Sequence, residues 1–148
     1  QYIAVLAGYG TRDYYAGNNS RLLVYRLGGK AKLPPLAPPP PPRQLNPPAQ
    51  FGTADQIERG ARLYNDNCTM CHDTAYGNRG LFPDLRYSPM INSADAFRSV
   101  VIDGVLTPRG MVSFRDRFGA EDADAATEAV RAYITQRAHQ ALPARPAP

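Results

Sequence analysis

Both cysteines of the chain fall in Cys68-Thr-Met-Cys71-His72, three residues apart and followed at once by a histidine. Two thiols at that spacing stand on one helical turn. They can add to the two vinyl groups along one porphyrin edge, and the adjacent imidazole can then swing beneath the ring to an iron. The pentapeptide is the attachment pattern of a c-type haem. With both thiols consumed, no disulfide is possible. Two other chemistries use similar residues. A thioredoxin-like pair opens a helix after a strand, whereas this motif closes one. A zinc site wants four ligands at finger-like spacing, and His139 is the only other histidine, far along the chain.

An iron held by His72 has a second face. The candidates for it are Met70, Met90, Met111 and His139. Met70 lies between the two cysteines and cannot reach across the ring. His139 falls at a helix end and reads as a surface residue. Met90 follows Pro89 in a polar loop. Met111 follows Gly110 in Pro-Arg-Gly-Met-Val-Ser-Phe, and glycine permits the close backbone approach that a ligating loop needs. Met111 is therefore the expected sixth ligand, with packing in the core as its other reading. Histidine–methionine ligation fills both axial positions and raises the reduction potential, which suits electron transfer. A peroxidase or gas-binding haem would need that position open.

The elements that position these residues are legible in outline. Thr53-Ala-Asp-Gln56 fits a capping box, and Ile57, Gly60, Ala61 and Tyr64 then recur at helical spacing up to about Asn67. Ser93 caps a second predicted helix with Phe97, Val100 and Val101 on its face and Gly104 as its stop. A third is predicted from Glu121 to His139, its apolar stripe being Ala126, Ala129, Val130, Tyr133 and Ile134. Its acids Glu121, Asp122 and Asp124 stand at the start, with Arg131, Arg137 and His139 towards the end, matching the helix dipole. Three short helices make a thin core for about 90 residues, the situation in which a cofactor supplements burial.

Upstream, Tyr2–Tyr9 and Arg21–Leu27 are β-rich runs flanking a Gly/Asn-containing loop, so residues 1–33 read as a long-looped hairpin. Two strands alone are marginal in water, and this pair needs a surface to lie on. Residues 34–49 form a proline-rich linker; nine of the 15 prolines lie between Pro34 and Pro48. Such a stretch favours extended polyproline II and acts as a semi-rigid spacer. Residues 50–140 then form the helical domain, and 141–148 a flexible tail.

The 148 residues carry a formal charge of +4, 43% hydrophobic and 20% charged residues, a globular composition. The charge is divided unevenly, +5 over residues 1–50 and −1 over 51–148. The basic half carries prolines and tyrosines without a nucleic-acid-binding motif, so no nucleic-acid partner is expected. The uncharged run Gln1–Thr11 is too short to span a bilayer. The chain opens on Gln1 within a strand-like run, which predicts that it was processed or cut from something longer.

Residues 51–140 resemble a class I cytochrome c domain. Gly60 and Tyr64 on the first helix, with Val130 and Tyr133 on the last, resemble the contacts where that family's terminal helices cross. Gly80-Leu-Phe-Pro83-Asp-Leu85 resembles the loop whose proline carbonyl accepts a hydrogen bond from the ligating histidine, which implies that Pro83 orients His72. The order of hairpin, proline-rich linker and haem domain is similar to the C-terminal end of quinohaemoprotein alcohol dehydrogenases, whose β-propeller holds pyrroloquinoline quinone. That resemblance implies a mainly α, cytochrome c-like domain behind the last propeller strands, one covalent haem c, and Arg86 as partner of a haem propionate. It also implies a periplasmic location, a dehydrogenase propeller as electron donor, and a cytochrome, copper protein or quinone as acceptor. Nearly all of the propeller is missing here, there is no Trp, and nothing seats the quinone, so this chain alone should not oxidise an alcohol. The competing expectation is an independent cytochrome subunit that docks to a partner through the hairpin, by strand addition.

Overall fold

The computed structural model describes residues 1–7, 21–35, 43–72 and 82–143. The hairpin loop, the Pro38–Pro42 run, Gly80 and residues 144–148 of the tail lie outside the described residues. Strands β1 (Tyr2–Ala7) and β2 (Arg21–Arg26) pair antiparallel, with Tyr2 opposite Arg26 and Ala7 opposite Arg21. Opposed residues share a face, so Ile3, Val5, Leu23 and Tyr25 line one side and Ala4, Leu6, Leu22 and Val24 the other. Both faces are apolar. Leu6 and Leu22 on one and Ile3 and Tyr25 on the other are exposed.

Five helices follow among the described residues: α1 (Ala54–Asn67), α2 (Thr69–His72), α3 (Ala94–Val101), α4 (Arg115–Phe118) and α5 (Ala123–Gln140). Thr53 caps α1, its hydroxyl accepting from the Gln56 amide, and Ser93 caps α3 by accepting from Ala96. Both caps fall where the sequence places them. Helix α5 starts two residues later and ends one later than expected. The stretches between are not plain loop: Leu85–Tyr87, Pro89–Asn92 and Thr107–Arg109 each wind into a 3-10 turn, and α4 is a further helical turn. Met90, expected in a loop, thus sits in a 3-10 turn that Ser88 caps through the Met90 amide.

The core is built where α1 and α5 cross, the most extensive packing between helices of the domain. Gly60 makes the crossing possible: a Cβ there would drive into the Ala129 carbonyl of α5 and stand 3.0 Å from the Tyr133 Cβ. The Tyr64 and Tyr133 rings meet one turn further on, centroids 5.4 Å apart. Ile91, Phe97, Val101, Ile102, Val130 and Ile134 fill the space between α1, α3 and α5.

Helix α5 departs from the expected single stripe. Ala123, Thr127, Ala132, Thr135 and Ala138 are buried as well as Ala126, Ala129, Val130 and Ile134, so the helix is packed around most of its circumference. Small side chains at these positions let neighbours approach on several sides. Arg131 is not a cation at the helix end. It sits mid-helix, donates to Ile91 O at 2.8 Å, pairs with Glu128 and stacks over the Phe51 ring at 4.0 Å.

Candidate haem site

Cys68 caps the C-terminus of α1, its amide donating to Tyr64 O at 2.8 Å. Its own carbonyl then accepts from Cys71 (3.2 Å) and His72 (2.8 Å), winding the motif into α2. Both cysteines are half-buried and unbridged. Burial, helped by the neighbouring Cys71, pushes the Cys68 thiol up to about 12.

His72 is buried, at 9% exposure. Its Nδ1 stands 2.8 Å from the Pro83 carbonyl oxygen. A carbonyl can only accept, so Nδ1 carries the proton and the neutral ring presents a lone pair at Nε2. That Nε2 is buried and has no hydrogen-bond partner among the described residues. A buried, unpaired polar atom carries a desolvation penalty of about 1–3 kcal/mol, which a metal bond would relieve. Burial also lowers the imidazole's proton affinity, outweighing the Pro83 carbonyl and the Asp84 carboxylate, which raise it. The site therefore favours the neutral, ligating form. Two thiols one turn apart beside a lone imidazole lone pair fit a haem held at one edge and ligated on one face.

The surroundings of His72 include groups that reading the sequence missed. The Phe82 ring stands edge-on to the imidazole, centroids 6.3 Å apart. The Tyr64 hydroxyl reaches the His72 carbonyl at 3.4 Å. Asp84 caps the 3-10 turn by accepting from the Arg86 amide at 3.0 Å. The Asp-x-Arg spacing could have disclosed that turn, since Asp side chains bond backbone two residues on. Arg86 lies beside the site, its Nε and Nη2 on Asp84 and its Nη1 without a protein partner among the described residues. Tyr64, His72, Asp84, Arg86, Tyr133 and Arg137 line a small polar cavity there.

Met111 lies apart from this group in sequence, half-buried in the segment between α3 and α4. Gly110 before it has φ +92°, the left-handed conformation that glycine accepts freely. Met70 is exposed on α2. His139 is half-buried, not free on the surface, and its Nε2 lies 2.7 Å from Pro48 O at the end of the linker.

Crossed helices around a buried histidine with one bare ring nitrogen, next to paired cysteines, define a c-type cytochrome domain. The chain belongs to the family described as cytochrome c oxidase, cbb3-type, subunit III, whose profile matches residues 55–130. It is 35% identical to the quinohemoprotein alcohol dehydrogenase ADH IIB of Pseudomonas putida, over 98% of this chain and 22% of that protein. It is 34% identical to lupanine 17-hydroxylase [cytochrome c] of a Pseudomonas species, over 93% of this chain and 20% of that one. The solved quinohemoprotein alcohol dehydrogenase ADHIIG of Pseudomonas putida superposes with a TM-score of 0.68 at 32% identity, covering 94% of this chain and 21% of its own. The chain spans about a fifth of the length of these relatives and matches their C-terminal cytochrome domain. A cytochrome c domain implies haem c and electron transfer. No helix among the described residues is long and apolar enough to cross a membrane.

Proposed function

We propose that this chain is a single-haem electron-transfer module of a periplasmic quinohaemoprotein alcohol dehydrogenase. It accepts electrons from a propeller that carries pyrroloquinoline quinone and passes them to an external cytochrome, copper protein or quinone. The observation that carries this reading is the buried Nε2 of His72, without a partner among the described residues, with Nδ1 anchored on Pro83, one residue beyond a pair of thiols. Haem, when bound, supplies a one-electron couple. Cys68 and Cys71 would hold it as thioethers, His72 and Met111 would ligate its iron, and Pro83 would fix the imidazole's tautomer and plane. Arg86, pinned by Asp84, offers its remaining edge to a propionate. With His72 and Met111 both as ligands, the module would relay electrons and do no bond-making chemistry.

The hairpin supports the same reading. Two strands with apolar side chains on both faces suit a sheet covered on both sides, as a strand pair between neighbouring propeller blades would be. Mass spectrometry of the denatured chain tests the haem: the expected result is 16.2 kDa plus one haem, and the bare mass would overturn the proposal. Native mass spectrometry tests the donor. A complex that contains a quinone-bearing chain is expected, whereas a cytochrome seen only with an unrelated partner, bound through the hairpin, would favour an independent subunit.

A further inference from the structure

The segment that carries Met111 leaves the end of α3 and returns at α4, and its two ends are tied together at a neck. The Phe114 amide donates to Val101 O at 2.8 Å, and the Ser113 hydroxyl to Ile102 O at 2.6 Å. Gly104, at φ +68°, lets the strands of the neck close: a Cβ there would stand 3.1 Å from the Ser113 Cβ and 2.9 Å from the Thr107 Oγ1. Inside the neck the chain winds on itself, with Thr107 bonded to Gly104 O, Arg109 to Leu106 O and Met111 to Leu106 O. A compact loop whose ends are joined in this way is held to the domain at that neck.

One carboxylate spans the neck from outside. Asp103, on the outgoing side, accepts from Arg98 of α3 at 2.9 Å through both oxygens, and from Arg115 on the returning side at 2.8 Å. Arg98 also reaches Asp124 of α5 at 2.7 Å. The chain Asp124–Arg98–Asp103–Arg115 thus joins three helices across both ends of the loop. Isolated exposed pairs contribute little, but a network that shares one carboxylate restrains several elements at once.

We infer that Asp103 is a positioning residue for the sixth ligand: by bridging Arg98 and Arg115 it holds the Met111 loop closed over the haem. This rests on the proposed ligation by Met111. Closure of the loop on Met111 and binding of an outside ligand are then competing events. Weakening the neck raises the population of the open form and with it the apparent affinity for the competitor.

The test uses the haem-loaded 148-residue chain, with imidazole titrated against the ferric form. The far-red sulfur-to-iron charge-transfer band reports Met111. Asp103→Asn is expected to tighten imidazole binding about fivefold, the size of effect a small charge network supports. It should also flatten the salt dependence that screening of the network produces in the parent chain. Asp122→Asn, which breaks the pair between Arg59 of α1 and Asp122 at the residue preceding α5, should leave imidazole affinity unchanged. Equal effects from the two variants would mean general destabilisation and would overturn the inference. So would an unchanged affinity in Asp103→Asn. Arg115→Gln provides a second route to the same opening if Asp103→Asn does not load haem. Met111→Leu separates the two readings. If it abolishes the band while Asp103→Asn changes nothing, Met111 ligates and the positioning role is wrong. If it leaves the band intact, the ligand assignment fails and the inference with it.

Discussion

At the residue scale, the histidine and the two cysteines answer different physical demands. His72 needs a neutral ring with the right nitrogen bare, and a single carbonyl on Pro83 achieves that by accepting a hydrogen bond from Nδ1–H, which keeps the proton there. Replacing Met111 by Ala should open the sixth position and lower the reduction potential, because a methionine axial ligand raises it. Potentiometry and carbon monoxide binding to the reduced form check this; an unchanged spectrum and potential would exclude Met111. Cys68 offers a separate test in the haem-free chain. Its thiol stands at about 12 in the fold, against about 8.5 for a free cysteine, so the folded state keeps a proton that the unfolded state loses. The stabilisation is complete below about pH 8.5 and is lost as pH rises towards the folded value. Iodoacetamide labelling at pH 8 should therefore be slow at Cys68 until guanidinium unfolds the chain. Fast labelling of the folded form would show that the thiol is not held this way.

At the element scale, the crossing of α1 and α5 is the joint that sets the site. Gly60→Ala should cost about 3 kcal/mol or somewhat more, since the added methyl meets the Ala129 backbone and the helices must part. Denaturant unfolding measures it; a loss below 1 kcal/mol, about the scale of a helix-propensity change, would mean that the crossing tolerates a side chain. Ser93→Ala removes the α3 cap and should cost about 1 kcal/mol, without altering the haem spectrum. Caps such as Thr53 and Ser93 were legible because they act within four residues. The two-sided burial of α5 was not, because Ala and Thr score weakly on an apolar stripe. Only contact with α1, α3 and the neighbouring 3-10 turns shows how much of the helix is enclosed. Arg131 was misread for the same reason: a mid-helix arginine looks like any solvated cation until Ile91, Glu128 and Phe51 are brought around it.

At the scale of the whole molecule, the hairpin and the helical domain have different requirements. The helical domain encloses its own core, whereas the hairpin presents apolar side chains on both faces. Removing residues 1–33 should leave the haem spectrum and potential unchanged while abolishing association with a quinone-bearing propeller. Spectroscopy and co-purification check the two halves of that expectation. Loss of the haem spectrum on truncation would mean that the hairpin belongs to the cytochrome fold. The end of the linker is tied to the domain by Arg43, which donates to Tyr87 O at 2.9 Å and covers the Tyr87 ring, and by His139 at Pro48. Nothing in the spacing of residues this distant along the chain marks them as partners.

The sequence by itself pointed to the chemistry available, because that chemistry is local: two thiols and an imidazole within five residues match the spacing that one edge and one face of a haem require. It also determined where α1 and α3 start, through caps that act over a single turn. The tertiary structure alone decided that Nε2 of His72 is buried and without a partner among the described residues, and that Asp103 spans the neck of the Met111 loop, and it gave the expected Pro83 contact its geometry. Those facts depend on groups beyond the reach of a single helical turn, up to 12 residues apart, meeting at about 3 Å, and a pattern of residue types does not encode such meetings until the chain has packed.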